Sequence, residues 1–528
     1  MLWLVVFTLI GSLLVWLYPD AEQQDAAHHF LFARWAGNHP TYFISVWARP
    51  LFTLAYFIPA QFGYPVAKLF TVAISVATAW QTFRLAQQVR IQRAELALPM
   101  LFLQPAFFAL CSITMTETLF ALVFVVALRL HLSGWLKTGM LLASMLILIR
   151  PEGFFLGVLW GIWILRIADY GFRISDLERG KDDDEQNAEA TRQLPKRIRN
   201  LQSAIRNPVT NPQWLILSSG MLAWWLVAYF MTGDKSWIAH NWPPDWQVDG
   251  QANGTGPIWW YAAQLPLIAG LPLFVPFLVG LWNSLKRREL GFATSSFLTL
   301  FILHSLMFVR GWFGSAGYAR YFVCVSPVVA LITLAGWNDL AGNRSRLFDL
   351  SKPVIAHTVL IIAGLSCLVY VDSIRFARDA WAIEAMNDWI RFNRPELFKP
   401  DAATHYRRLV SSQAYPFILL NRDSAEKLPF TTDRAHNLDL IRQSPEGTLV
   451  LWEDETGPKW YGLRAEDFET AGYQRMKSQD FQLPGYFVRL PGDRLGGWRA
   501  QRMHWFYKEP AIAPLPEKAL AERNFPNS

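Results

Sequence analysis

Five side chains that could carry acid–base or metal chemistry follow the first apolar run of the chain. The run LWLVVFTLIGSLLVWL is followed by YPDAEQQDAAHH, which contains Asp20, Glu22, Asp25, His28 and His29. A carboxylate in such a loop can act as a general base in a transfer reaction. Carboxylates and histidines that share one helix face can instead hold a divalent cation.

The spacing of these residues leaves more than one interpretation open. Glu22, Asp25 and His29 lie at i, i+3 and i+7, so they share one face if residues 20–36 form a helix. This spacing alone leaves open whether Mg²⁺ or Mn²⁺ takes part, and no residue is assigned as a metal ligand. For the two histidines, packing or capping at an interface is the favoured interpretation. Helix capping is also an alternative to catalysis for Asp20.

The composition is typical of an integral membrane protein. Of the 528 residues, 52% are hydrophobic and only 17% are charged, against roughly 25% charged in soluble domains. The apolar residues are gathered into runs long enough to cross a bilayer, about 17–25 residues each. Basic loops on the cytoplasmic side account for the formal net charge of +7. We therefore expect membrane lipids, and not nucleic acid, around this chain.

The apolar runs predict an α-helical polytopic membrane protein with about eleven transmembrane helices. Their predicted centres are near residues 10, 74, 104, 125, 143, 160, 222, 270, 299, 330 and 362. The stretch 45–63 is short and is interrupted by Pro50 and Pro59, which favours an interfacial or re-entrant helix. With the N-terminus inside the cell, every strongly basic loop lies on the cytoplasmic side.

The chain changes character after the last predicted span. Residues 1–373 form the predicted transmembrane domain, with a first outer loop at 19–46 and a long cytoplasmic loop at 168–212. Residues 374–528 have a globular composition and include the strand-like TLVLW and the helix-like LRAEDFETAG. Because the number of predicted spans is odd, we expect this small α/β domain to be extracytoplasmic.

With this orientation, the polar residues near the ends of the spans collect on the outer face. An ionisable side chain costs about 2.5–3.5 kcal/mol at the centre of a membrane helix, so its position carries information. Beyond the first loop, the residues on this face are Glu117, Arg150, Glu152, His240, Arg310, Arg320 and Tyr321. A single polar cavity that opens to the outer side would explain why these residues all lie on that face. Local roles stay open for some of them, namely an ion pair between Arg150 and Glu152 or snorkelling of Arg310 and Arg320 to headgroups.

Four pieces of the sequence, in this order, resemble the GT-C superfamily of membrane glycosyltransferases. YPDAEQQ is similar to the acidic first outer loop of that family, and NHPTYFISVWARPLFTLAYFIPAQFG to its His-Pro and Arg-containing interfacial stretch. IRPEGFF is similar to an Arg-Pro-Glu-Gly turn after a middle span, and GYARYFVCVSP to the Arg-Tyr start of a late span. The resemblance covers residues 1–372. Because Ala21 stands where the family often has a second acid, it leaves Asp20, Glu22 and Asp25 as candidates for the catalytic carboxylate.

The resemblance implies an inverting hexosyltransferase, similar to polyprenyl- or dolichyl-phosphate-sugar-dependent mannosyltransferases and bacterial family-39-like enzymes. The implied donor is a hexose, with mannose as one candidate, linked to a polyprenyl phosphate. The implied acceptor is a glycan, a lipid or a protein at the outer face of the membrane. In a bacterium this is the periplasmic or exterior side of the inner membrane, in the cell envelope.

The resemblance also implies roles for the predicted site residues. Asp20 is the expected general base, with Glu22 or Asp25 in its place if the motif is shifted. The guanidinium groups of Arg310 and Arg320, with Tyr321 beside them, are expected to hold the lipid phosphate. Arg150 is expected to share that role or to orient Glu152, and Glu117 and His240 to bind sugar hydroxyls.

Two other classes of protein could have a similar composition. A transporter or flippase of lipid-linked glycans often carries internal repeats and charges at mid-membrane depth, and we find neither feature in this sequence. A membrane scaffold that recognises partners through its C-terminal domain needs neither eleven spans nor an acidic outer loop. The glycosyltransferase interpretation is therefore favoured, with the transporter as its alternative.

Overall fold

The computed structural model describes residues 2–17, 25–166, 213–242, 255–287, 290–342, 353–374, 377–402, 404–484 and 498–510. The chain divides into two compact units. The first comprises residues 1–375 and 486–495, and the second comprises residues 376–485 and 496–528. The predicted cytoplasmic loop 168–212 lies outside the described residues.

The described part of the first unit is helical. Its α-helices are α1 (Leu2–Leu17), α2 (Asp25–Trp35), α3 (Pro50–Gln61), α4 (Tyr64–Gln88), α5 (Ala97–Phe102), α6 (Pro105–Leu110), α7 (Thr116–Leu132), α8 (Leu136–Ser144), α9 (Glu152–Arg166), α10 (Ser219–Thr232), α11 (Trp237–His240), α12 (Trp260–Ala263), α13 (Leu265–Ala269), α14 (Phe274–Arg287), α15 (Gly291–Arg310), α16 (Ser326–Gly342) and α17 (Pro353–Ile374). A 3-10 segment, Ala319–Val325, leads directly into α16.

Several of these helices are apolar enough to cross a membrane. Among the described residues, four are also long enough, namely Tyr64–Gln88, Leu215–Thr232, Gly291–Arg310 and Ala319–Ala341. Four shorter apolar helices are Leu2–Leu17, Leu136–Leu148, Glu152–Ile164 and Pro353–Val369. Eight of the predicted span centres fall in these helices, and the total of about eleven stays a prediction.

Two of the other predicted centres do not fall within a single long helix. The region around residue 104 forms the short helices α5 and α6, and the break lies where Pro105 follows Gln104. Proline has no N–H to donate and its ring clashes with the preceding turn, so it begins a helix more easily than it continues one. The centre near residue 270 falls at Gly270, between α13 and α14. Hydrophobicity alone predicted longer helices here because it takes no account of these breaks.

The segment between α1 and α4 contains two short helices, α2 and α3, that fold against the helical unit. The α3 helix has 12 residues and begins at Pro50, inside the stretch predicted to be interfacial or re-entrant. A side-chain hydrogen bond of 3.0 Å from Arg34 to the carbonyl of Ala60 connects α2 to α3. The hydroxyl of Thr114, just before α7, donates to the carbonyl of Ala26 at 2.7 Å. The second contact holds the beginning of α2 next to the beginning of α7.

The helices α14 and α16 approach each other through two glycines. A Cβ added to Gly280 would lie 1.9 Å from the carbonyl oxygen of Ile332, and one added to Gly336 would lie 1.9 Å from that of Pro276. Small residues allow membrane helices to approach this closely. The contact fixes α16, which continues from the 3-10 segment that carries Arg320 and Tyr321.

The second unit contains α18 (Ala377–Asn393) and a four-stranded sheet in the order β1-β2-β4-β3. The strands are β1 (Arg408–Ser411), β2 (Thr448–Glu453), β3 (Gln474–Pro484) and β4 (Trp498–Tyr507), and the remaining helices are α19 (Tyr415–Leu419), α20 (Arg434–Gln443), α21 (Thr456–Tyr461) and α22 (Ala465–Thr470). The strands β1 and β2 are parallel, and the other two pairs are antiparallel. Trp452, Phe468 and Phe506 lie in its hydrophobic core. The unit is mixed α and β, and its extracytoplasmic location stays a prediction.

Candidate active site

Three carboxylates of the first unit each lie in the first turn of a helix. Asp25 begins α2, Glu117 is the second residue of α7, and Glu152 begins α9. The first N–H groups of a helix have no partner within the helix and carry a partial positive charge. Each helix start therefore stabilises the carboxylate that it carries, and the fold brings the three starts together.

Arg150 joins two of these carboxylates. Its Nη1 lies 2.7 Å from Oε1 of Glu117, and its Nη2 lies 2.8 Å from Oε1 of Glu152. Its Nη1 also donates to the hydroxyl of Thr116 at 3.0 Å. Because Arg150 is 8% exposed and Glu117 is fully buried, water weakens these charge interactions little. The local ion pair predicted between Arg150 and Glu152 is present, and it is part of a larger network.

Arg320 joins the third carboxylate to the network. Its Nη2 donates to Oδ2 of Asp25 at 2.7 Å, and its Nε lies 3.8 Å from Oε1 of Glu117. The guanidinium also lies over the ring of Tyr318, 4.7 Å from the centroid, and over that of Tyr321 at 5.9 Å. Arg320 is therefore buried against acids and aromatic faces, which differs from an arginine that extends to lipid headgroups.

Arg49 is a third cation near these acids, and it is not among the site residues predicted from the sequence. It is buried, it precedes Pro50 at the start of α3, and it has a φ of 63°, which is uncommon for a residue other than glycine. Burial and the repulsion of Arg150 lower the pKa of Arg49 to about 10, so it stays cationic at neutral pH. Its presence in the motif WARPLF was the available signal.

We call these six side chains the charge cluster, and its formal charges balance. The members are Asp25, Arg49, Glu117, Arg150, Glu152 and Arg320. Three carboxylates and three guanidinium groups give a net charge of zero, which reduces the cost of burying them. Asp25 is the most open carboxylate, with its side chain 24% exposed against 8% for Glu152 and 0% for Glu117. Within the charge cluster it is therefore the carboxylate most accessible to solvent.

The two histidines of the first loop pack on aromatic rings. His28 lies over Phe32 with 6.3 Å between ring centroids, and His29 lies 5.2 Å from Phe52. Burial, followed by the nearby positive charge of Arg49, holds the pKa of His29 well below its usual value. Among the described residues, no group of three or more His, Cys, Asp or Glu side chains is arranged to hold a metal ion. Whether a divalent cation takes part stays open.

His304 is a further ionisable residue beside the charge cluster, and it is not among the site residues predicted from the sequence. It lies inside α15, is 1% exposed, and places its Nε2 3.7 Å from Oε1 of Glu152. Its ring stacks on that of Tyr321 at a centroid distance of 4.8 Å. A histidine within an apolar span is uncommon enough to indicate a site by itself.

Not every predicted site residue lies in the charge cluster. His240 is exposed at the end of α11 and pairs with Asp234 at 2.8 Å. Arg310 is exposed in the last turn of α15, where a cation complements the partial negative charge of the helix end. Asp20 and Glu22 lie outside the described residues. The structure brings together Asp25, Glu117, Arg150, Glu152, Arg320 and Tyr321.

One solved structure has a fold that matches nearly the whole chain. It is the apo crystal structure of ArnT from Cupriavidus metallidurans. The chain's fold is similar to that of ArnT. The TM-score is 0.56, the sequence identity is 11%, and the alignment covers 95% of this chain and 97% of ArnT. No protein-family model and no curated protein matches the sequence.

The similarity to ArnT, together with the apolar helices, establishes a helical membrane fold. ArnT is a 4-amino-4-deoxy-L-arabinose transferase, a glycosyltransferase of the GT-C type. The prediction of a polytopic helical membrane protein is thus confirmed at the level of fold. At this sequence identity the comparison does not extend to the sugar, to the acceptor or to the roles of single residues.

Proposed function

We propose that this protein is an integral membrane glycosyltransferase that uses a sugar linked to a polyprenyl phosphate. The observation that carries the proposal is the charge cluster, in which three guanidinium groups and three carboxylates meet where helices begin. Guanidinium groups suit a phosphate leaving group, and a carboxylate suits the removal of a proton from an acceptor hydroxyl. The ArnT-like fold supports this class of reaction.

Arg320 is the proposed primary ligand of the donor phosphate. Arg49 and Arg150 are the other two cations of the charge cluster and support it. Arg150 is bound by both Glu117 and Glu152, so it acts chiefly as the fixed centre of the network. Arg320 shares its guanidinium with the partly exposed Asp25. A phosphate that binds Arg320 would compete with Asp25 for the same N–H groups and would leave that carboxylate free to act as a base.

The proposed step is an inverting substitution at the anomeric carbon. The acceptor oxygen forms a bond to this carbon while the bond from the carbon to the phosphate oxygen breaks. The acceptor proton passes to a first-loop carboxylate, and polyprenyl phosphate leaves with the bonding electron pair. Asp20 remains the first candidate for the base by its place in the motif, and Asp25 is the described carboxylate at this position.

The substrates are proposed in the classes that the sequence indicates. The donor carries a hexose, with mannose as one candidate, and the acceptor is a glycan, a lipid or a protein on the outer face of the membrane. The site is proposed to face the periplasm or the exterior of a bacterial inner membrane. His240 and Arg310 are kept as outer contacts to substrate or headgroups, separate from the charge cluster.

Sugar transfer by purified protein tests the proposal. Wild type in nanodiscs is given radiolabelled polyprenyl-phosphate hexoses and, in parallel, polyprenyl-phosphate 4-amino-4-deoxy-L-arabinose, each with and without a chelator. We expect wild type to release polyprenyl phosphate from at least one donor. The first-loop variant that lacks the base should not release it. If the protein is folded and moves lipid-linked sugar across the membrane but consumes none of these donors, the flippase alternative replaces this proposal.

A further inference from the structure

His304 has an unusual environment for a buried histidine. Neither of its ring nitrogens makes a hydrogen bond to a described residue, although the side chain is 1% exposed. Leaving a buried polar group without a hydrogen bond destabilises the folded protein. A buried polar side chain in a helix often bonds to the backbone carbonyl one turn earlier, as Nδ1 of His357 does with Pro353 at 2.6 Å, but neither nitrogen of His304 does so. The unused nitrogens of His304 therefore indicate a partner that is absent from the protein itself.

Two buried hydroxyl groups are also unused, one on Tyr261 beside His304 and one on Ser315 beside Tyr261. The ring of Tyr261 lies 6.1 Å from that of His304, and its OH makes no hydrogen bond to a described residue. The hydroxyl of Ser315 is close enough to Tyr261 for the two groups to interact, yet it also makes no hydrogen bond. Both residues are nearly inaccessible, at 0% and 3% exposure. Three neighbouring side chains thus present unused hydrogen-bonding atoms.

The segment around these groups is held rigidly. Trp260 and Gln264 both donate to the carbonyl oxygen of Gly317, at 2.8 and 2.9 Å. Phe308 packs against both Trp260 and Tyr261, with centroid distances of 5.9 and 6.2 Å. The unused polar atoms are therefore not produced by a loosely packed loop. They lie beside aromatic faces, against which the C–H groups of a sugar ring can pack.

The chemistry of these groups separates them from the charge cluster. Tyrosine, serine and neutral histidine can both donate and accept hydrogen bonds, which matches the hydroxyl groups of a sugar. A phosphate is better matched by the guanidinium groups of the charge cluster. His304 lies between the two environments because its Nε2 is 3.7 Å from Glu152, which Arg150 binds. The distance places these neutral polar groups next to the charge cluster, and a sugar phosphate would need both environments side by side.

We propose that His304, Tyr261 and Ser315 form the subsite that binds the hydroxyl groups of the donor sugar. This inference rests on the proposed function, because it assumes that the adjacent charge cluster binds the phosphate of the same donor. The sugar would satisfy the unused nitrogen and oxygen atoms and would pack against Tyr261 and Phe308. The three residues would then select the sugar and contribute little to the binding of the lipid phosphate.

Binding of lipids with and without the sugar tests the subsite. The probes are undecaprenyl phosphate alone and undecaprenyl phosphate that carries mannose, glucose, galactose or 4-amino-4-deoxy-L-arabinose, titrated into wild type in nanodiscs. We expect wild type to bind at least one sugar-bearing lipid about tenfold more tightly than the bare lipid phosphate. Tyr261→Phe, Ser315→Ala and His304→Phe should each remove much of this preference and leave the affinity for the bare lipid phosphate within about twofold.

A matched control comes from the same helix as His304. Ser296 also has a buried hydroxyl without a hydrogen bond, and it lies eight positions earlier, about 12 Å along α15. Ser296→Ala should leave the sugar preference unchanged. Because Tyr261→Phe and Ser315→Ala break no hydrogen bond of the free protein, they should not lower its melting temperature. A lower melting temperature with an intact sugar preference would make the two hydroxyls structural and overturn the subsite.

The remaining outcomes separate the subsite from the proposed function. If the variants retain the sugar preference, or lose affinity for both lipids equally, the subsite is wrong and the charge cluster stands. If wild type prefers no sugar-bearing lipid, the three residues do not recognise the donor sugar and the subsite is again wrong. If wild type has the preference and the variants lose it, but no acceptor is ever glycosylated, the subsite stands and the transferase proposal fails.

Discussion

The guanidinium of Arg320 donates to Oδ2 of Asp25 at 2.7 Å, across 295 positions of the chain. One partner begins a short helix of the first outer loop, and the other precedes the buried helix α16. The pair therefore connects the earliest and latest motifs of the sequence at one point. It also joins the proposed phosphate ligand to a candidate base.

Replacement of Arg320 should weaken the binding of the lipid phosphate. Charged hydrogen bonds contribute about 1.5–3 kcal/mol, so Arg320→Ala should raise the Kd for undecaprenyl phosphate by about 10- to 100-fold. Titration of the bare lipid phosphate into nanodiscs measures this change. Arg84→Ala is the matched control, because Arg84 is exposed on α4 and has no role in the proposed site. Equal weakening in both variants would argue against a specific role for Arg320.

Replacing each first-loop acid with the corresponding amide should lower the rate of sugar transfer by different amounts. A general base contributes about 10²- to 10⁴-fold to the rate, so the amide variant of the true base should lower kcat by that factor. Asp20→Asn, Glu22→Gln and Asp25→Asn are compared by single-turnover sugar transfer and by donor binding. We expect one of them to abolish transfer while the donor still binds. Near-normal turnover in all three would remove the first loop from the chemistry.

Loss of one charge from the buried network should destabilise the protein. Glu117→Gln leaves Arg150 with one carboxylate. It should lower the free energy of unfolding by about 3–5 kcal/mol, because an uncompensated buried charge remains. Arg150→Met should have a comparable effect. The double variant should be clearly less destabilised than the sum of the two single variants. Thermal unfolding in one detergent measures all three, and simple additivity would contradict a direct pairing.

The close contact between α14 and α16 should not tolerate a methyl group. Gly280→Ala places a Cβ 1.9 Å from the carbonyl oxygen of Ile332, so the helices must separate. We expect a lower melting temperature and reduced expression in the membrane. Gly157→Ala is the control, since a Cβ there meets no atom within 4 Å. Alanine is the better helix former by about 1 kcal/mol, so this variant should be neutral or more stable. Equal stability of the two variants would contradict the contact.

Acid should destabilise the first loop through His29. Its pKa in the folded protein is well below 6.5, because it is buried and lies near Arg49. As the pH falls through the unfolded value of about 6.5, the unfolded chain binds a proton that the folded protein does not. Stability should then decrease by up to about 1.4 kcal/mol per pH unit from this residue. Melting temperatures between pH 7.5 and 5 should fall less steeply in His29→Gln, and identical slopes would rule out this contribution.

Several properties of this protein could be determined from its sequence. The apolar runs required a membrane because their length and low charge suit hydrocarbon and not water. The ionisable residues at the ends of these runs, Glu117, Arg150, Glu152 and Arg320, were identifiable because charge is rare and costly there. Pro105 also indicates a break in the helix near residue 104, because proline removes one backbone hydrogen bond of a helix. Hydrophobicity alone does not show this break.

The tertiary structure alone decided which of the selected residues meet. Arg310 and Arg320 are only ten positions apart and look equivalent in sequence, yet one is exposed and the other contacts Asp25. Tyr261 could not be distinguished from an ordinary core residue in the sequence, and only the packing showed that the polar atoms of Tyr261 and His304 are buried without hydrogen bonds. Local patterns report which face a residue occupies, whereas contacts across hundreds of positions depend on how helices pack. That packing arises from many small dispersion contacts and close backbone approaches such as the one at Gly280, which no short motif records.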